Sequence, residues 1–119
     1  LIKNIFNGNR NGGVTPGGSV SASVKRNSII GNAGTGFFFF GSGAITQSNI
    51  YGNYPRRDTY SNCGLFDNTE DGDISNNYFG SSTGPGLDPA DQVCSQIKGF
   101  DTFKFSPKDY KVKLKRPIL

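Results

Sequence analysis

Two short segments hold most of the residues able to do chemistry. The segment YPRRDTY at 54–60 sets Arg56 and Arg57 between Tyr54 and Tyr60. A guanidinium fork meets a carboxylate through two parallel hydrogen bonds, and a tyrosine ring offers a flat face on which a sugar can stack. These four residues are candidates for ligand binding; the plainer alternative is a surface loop whose arginines are solvated or paired with Asp58. The segment DNTEDGD at 67–73 places Asp67, Glu70, Asp71 and Asp73 close together. Hard cations take several oxygen ligands, so Asp67, Asp71 and Asp73 are candidates for calcium, although the spacing is not that of an EF-hand loop and suits a solvated turn as well. The chain has no His, which excludes Ser-His-Asp and Cys-His nucleophile systems. Its two cysteines, Cys63 and Cys94, cannot alone complete a four-coordinate zinc site. They read either as the disulfide of an exported protein or as two buried thiols. A pair of acids could still serve as general acid and base, but nothing in the spacing singles one out.

The elements that must position these residues follow from composition. The 119 residues are only 34% hydrophobic, with 17 Gly and 12 Asn. Glycine and asparagine tolerate tight turns and left-handed backbone, so the chain has many corners and short straight pieces. No window sustains apolar spacing at three and four residues; the expectation is an all-β fold. The apolar run at 37–40 is far short of the roughly 20 residues needed to cross a bilayer. No signal peptide is evident and the chain starts at Leu1 with no Met, the expectation for an excised fragment or a processed chain. The net charge of +4 is uneven: residues 98–119 carry +5 and the remainder −1. No recognition motif accompanies that basic tail, and lysines in YKVKLKR suit an edge strand guarded against pairing, so nucleic acid is not the expected partner.

The chain also repeats itself. The segments NIFNGN, NSIIGN, SNIYGN and NNYFGS align with ends at Asn9, Asn32, Asn53 and Ser81, at spacings of 23, 21 and 28 residues. Three positions before each end stand Phe6, Ile29, Ile50 and Tyr78, and five before stand Asn4, Asn27, Ser48 and Asn76. Eight before stand Leu1, Val24, Ile45 and Asp73, where Ile74 fits only with a one-residue slip. A second row follows: GGV ends at Val14, TGF at Phe37 and CGL at Leu65, the last displaced by the insertion around YPRRDTY. One turn of short parallel strands per repeat would stack the apolar residues inward and let asparagines at one corner bond to one another.

This pattern, apolar-x-x-Asn-x-Ile-x-Gly-Asn followed by Gly-apolar, resembles right-handed parallel β-helix proteins of the pectate-lyase-like superfamily. NNYFGSSTGPG at 76–86 is similar to an element near the end of many bacterial members, and Phe105-Ser106-Pro107 matches a strand that commonly follows it. This chain has Tyr78-Phe79 where a Trp pair is common, and it starts in mid-repeat. The resemblance implies a right-handed parallel β-helix (a solenoid) of about four coils over 1–81 with a C-terminal closing loop and capping strands over 82–119. It implies an extracellular or cell-surface protein associated with polysaccharide binding or processing, whose catalytic residues would lie on middle coils. A complete catalytic site is therefore not expected here, though the resemblance leaves room for a parent polysaccharide lyase, hydrolase or epimerase. The other function class is a structural surface or filament subunit that self-associates end to end through an open first coil, a place that upstream coils would otherwise fill.

The run FFFF at 37–40 divides within that frame. Phe37 shares its position with Val14 and Leu65, so alternation sends Phe37 and Phe39 inward and Phe38 and Phe40 outward. Phe66 follows Leu65 as Phe38 follows Phe37, which makes Phe38, Phe40 and Phe66 a candidate interface, with the C-terminal tail its expected cover.

Overall fold

The structure, a computed structural model, describes residues 4–10, 12–15, 21–53, 63–86, 90–97 and 103–112. Apolar and β-branched residues between glycine and asparagine corners form seven short strands: β1 (Ser21–Lys25), β2 (Ser28–Ile30), β3 (Phe37–Phe39), β4 (Ser42–Thr46), β5 (Asn49–Tyr51), β6 (Cys63–Asp67) and β7 (Gln92–Cys94). Among the described residues there is no helix, so the chain is all-β, and no helix is long and apolar enough to cross a membrane.

The strands lie in three small sheets, β1–β4, β2–β5 and β3–β6–β7, and each pairing is parallel. Partners recur at the intervals of the sequence repeat. Val24 stands beside Ile45 and Ile29 beside Ile50, while Val14 meets Phe37 through a bridge and Phe37 meets Leu65. The expected solenoid is corrected on this point. Strands of three to five residues and unequal intervals between partners hold each sheet to two or three strands, and the structure is an all-β fold of small parallel sheets rather than a right-handed β-helix of four coils.

The fourth repeat is shifted by one residue. Bridges from Ala44 to Asp73 and from Asn49 to Tyr78 place Ile74 level with Ile45 and Phe79 level with Ile50. Phe79 is fully buried and Ile74 nearly so, whereas Tyr78, expected inward, is half-buried. Asn77 rather than Asn76 therefore continues the row of Asn27 and Ser48. The cause is local: the residue before each of these has left-handed backbone, at Arg26 (φ 55), Gln47 (φ 51) and Asn76 (φ 59), and Asn76 occupies that turn because asparagine tolerates it.

The core gathers Val24, Ile29, Phe37, Phe39, Ile45, Ile50, Leu65, Ile74 and Phe79, with Phe6, Val14, Ala22, Val93 and Phe103 packed against it. Full burial of Phe37, Phe39 and Phe79 stabilises the fold by about 1.5–3 kcal/mol each. Residues 103–112 return to the second sheet: Asn76 N donates to Lys104 O and Ser106 N to Asn77 O, both at 2.8 Å.

Candidate functional site

Every buried amide at a corner must find partners, and at one corner the asparagines find each other. The backbone N and Nδ2 of Asn9 both donate to Asn32 Oδ1 at 2.9 Å. Asn32 repeats this toward Asn53 Oδ1, at 3.0 Å from its backbone N and 2.8 Å from Nδ2. Asn53 then donates from its backbone N at 3.1 Å and from Nδ2 at 2.9 Å to Asp91 Oδ2. Asn32, Asn53 and Asp91 are all fully buried. A carboxylate accepts but does not donate, so the ladder ends at Asp91.

Glycine is required where the next strand passes this ladder. A Cβ on Gly36 would stand 2.7 Å from both Asn53 Nδ2 and Gly64 O, and one on Gly64 would run into the Asp91 carboxylate. These are the glycines of TGF and CGL, so the two sequence rows are one packing unit. Cys63, beside Gly64, forms a disulfide with Cys94 (Cα–Cα 5.9 Å), which fastens β6 to the β7 segment that also carries Asp91. Sequence left the two cysteines open between disulfide and thiols, and the disulfide is the outcome. It is compatible with an extracellular location without establishing one.

Asn53 and Cys63, which flank 54–62 in the sequence, are both fully buried and both tied to residues 91–94. The candidates Tyr54, Arg56, Arg57 and Tyr60 lie outside the described residues.

The acidic segment is dispersed. Asp67 points inward, level with Phe39 and fully buried, and its Oδ1 accepts from Thr69 N at 3.0 Å and Thr69 Oγ1 at 2.5 Å. Asp71 and Asp73 are exposed, and Asp73 Oδ1 accepts from Ser75 N at 2.8 Å. Among the described residues no three Asp, Glu, His or Cys side chains are grouped to hold a metal ion.

Of the aromatic candidates, Phe38 and Phe40 are half-buried with parallel rings 5.9 Å apart. Phe66, the strand partner of Phe38 on β6, lies 5.1 Å from it and is only 3% exposed, so it adds almost no exposed surface to the pair. The described tail lies elsewhere. Asn49 Nδ2 donates to Tyr110 O and Tyr110 N donates to Asn49 Oδ1, both at 2.7 Å.

That clamp creates a group the sequence did not reveal. Tyr51, on β5, meets Tyr78 edge to face, with ring centroids 5.7 Å apart and planes at 80°. Tyr110 Oη donates to Asn76 O at 2.7 Å, and Asp109 is the residue next to it in the chain. Burial, then the charge of Asp109, then Tyr78 raise the pKa of the Tyr51 hydroxyl above its ordinary value. The available signal was the one-residue shift of the fourth repeat, which turns Phe79 inward and Tyr78 outward.

Comparison with protein-family models, with curated proteins and with solved structures finds no match to this chain. The resemblance to the pectate-lyase-like superfamily is therefore overturned: no family model supports it, and the strands form three small sheets instead of a β-helix.

Proposed function

We propose that this chain is a binding module of an extracellular protein, taking an acidic polysaccharide through the inserted segment at 54–60. One observation carries the reading: the segment that holds Arg56 and Arg57 starts at Asn53, which the ladder fixes, and ends at Cys63, which the disulfide fixes. Loops on rigid scaffolds are where binding residues concentrate, and anchored ends lower the ordering entropy lost on binding. Paired guanidinium groups suit sugar carboxylates, and flanking tyrosines suit sugar faces. The chemistry is binding rather than turnover. Affinity electrophoresis through gels containing polygalacturonate tests it. Wild type is retarded, and the double variant Arg56→Ala with Arg57→Ala runs as in a polymer-free gel while keeping its unfolding midpoint. Unretarded wild type contradicts the proposal.

A second reading is favoured by the half-buried, parallel Phe38 and Phe40 rings: a self-associating structural subunit. It predicts a mass by light scattering that rises with concentration and falls back in Phe38→Ser. A monomer at every concentration contradicts it.

A further inference from the structure

The Tyr51–Tyr78 corner is assembled from three separate stretches of chain. Tyr51 ends β5; Tyr78 is held beside that strand by Tyr78 N donating to Ser48 O and by Ile50 N donating to Tyr78 O, both at 2.8 Å. Asp109 is carried by the tail, whose next residue is clamped to Asn49 through two 2.7 Å hydrogen bonds. The two rings stand nearly perpendicular, and both residues are half-buried while Asp109 is exposed. A sugar ring needs this combination: an aromatic face for its C–H side and a carboxylate that accepts from neighbouring hydroxyls, bonds that are stronger when the acceptor is charged. Lys108 and Lys111 flank Asp109 and are exposed, so the corner does not repel an acidic chain.

We propose that Tyr51, Tyr78 and Asp109 form a subsite for one pyranose ring of the bound polysaccharide, a proposal that rests on the reading of 54–60 as a polysaccharide-binding segment. The ring face packs on Tyr51 against the edge of Tyr78, and Asp109 accepts hydrogen bonds from the ring hydroxyls.

The test is affinity electrophoresis on polygalacturonate and on neutral galactan, for wild type, Tyr51→Ala, Tyr51→Phe and Asp109→Asn. Tyr51→Phe keeps the ring and retains binding, while Tyr51→Ala weakens it roughly tenfold, equivalent to about 1.4 kcal/mol. Asp109→Asn separates hydroxyl recognition from bulk charge. Removing a negative charge should tighten binding to an acidic polymer if only charge matters, so weaker binding to both polymers supports the subsite. Wild-type retardation that Tyr51→Ala leaves unchanged, or that Asp109→Asn increases, overturns the subsite and leaves the function standing. Retardation on galactan alone, lost in Tyr51→Ala, overturns the acidic-polymer reading and upholds the subsite. Wild type retarded by neither polymer overturns both.

Discussion

In the row Asn9, Asn32 and Asn53 each side-chain amide reaches across to the next repeat, whereas at the other corner Asn27 and Ser48 turn back on their own strand. Asn32 Nδ2 donates to Asn53 Oδ1 and to Phe6 O, and Asn53 Nδ2 donates to Asp91 Oδ2 and to Ile29 O. At the second corner Asn27 Nδ2 donates to Lys25 O and Ser48 Oγ donates to Thr46 O, each two residues back. There a backbone N spans the repeats, from Asn27 to Ser48 Oγ and from Ser48 to Asn77 Oδ1, each at 3.1 Å, and at the last position Asn77 Nδ2 also reaches Ile45 O at 2.8 Å. The first corner needs a group with two donors and a two-fold acceptor, which among small side chains is asparagine. At the second, position 48 uses one acceptor and one donor, so serine serves there. The difference also locates rigidity, because the first row ends on the residues that anchor 54–62.

The largest effect should come from Asn53→Asp. It sets a second buried carboxylate against Asp91 and removes the Nδ2 donor, a loss of about 3–5 kcal/mol read as a lower denaturation midpoint at neutral pH. Acidification should restore part of it as one carboxyl takes a proton. An unchanged midpoint means Asp91 does not close the ladder. Next is the double variant Cys63→Ala with Cys94→Ala. Its closed loop spans a sequence separation of 31, for which chain entropy gives about 3–4 kcal/mol; a loss under about 1 kcal/mol would show that β6 and β7 hold together without it. Gly36→Ala is smaller, about 1–3 kcal/mol, since the methyl meets backbone at Gly64 O and an amide the ladder fixes.

The smallest effect is at Tyr51. Its raised pKa means the fold favours the neutral phenol. The associated stability is complete below the ordinary value of about 10 and is lost as pH rises through the higher folded value. Unfolding midpoints measured from pH 9 upward should fall more steeply for wild type than for Tyr51→Phe, and parallel curves would show that neither burial nor Asp109 perturbs the hydroxyl.

Sequence made the rows legible where side chains recur in a fixed frame. Val14, Phe37 and Leu65 were aligned by their preceding glycines, and they pair as aligned; Phe37 and Phe39 are buried and Phe38 is not, as strand alternation requires. Three features were illegible for physical reasons. The pair Asn76-Asn77 hid a left-handed turn, because either residue fits either position by type, and that shifted Tyr78 and Phe79. Asp91 joins the ladder from 38 residues beyond Asn53, outside any repeat. The near-complete burial of Phe66 was hidden because the repeat fixes its pairing with Phe38 but not how much of the ring its other neighbours cover. Of the candidate site, the residue types at 54–60 were legible, whereas the anchors at its ends and the Tyr51–Tyr78 corner were not.

The comparison of the two corners reduces to one measurement. Asn27 and Asn32 are both fully buried and lie five residues apart, so the same substitution can be made at each. Unfolding free energies of Asn27→Ser and Asn32→Ser should differ. Serine at 27 can copy what Ser48 does, while serine at 32 takes the side-chain donor from Phe6 O, leaves Asn53 Oδ1 with the Asn32 backbone N alone, and takes the amide oxygen from Asn9; a buried group left unsatisfied costs about 1–3 kcal/mol. The predicted result is that Asn32→Ser is the less stable of the two by about 2 kcal/mol or more. Equal losses at both positions would contradict the account, since the two rows would then do the same work.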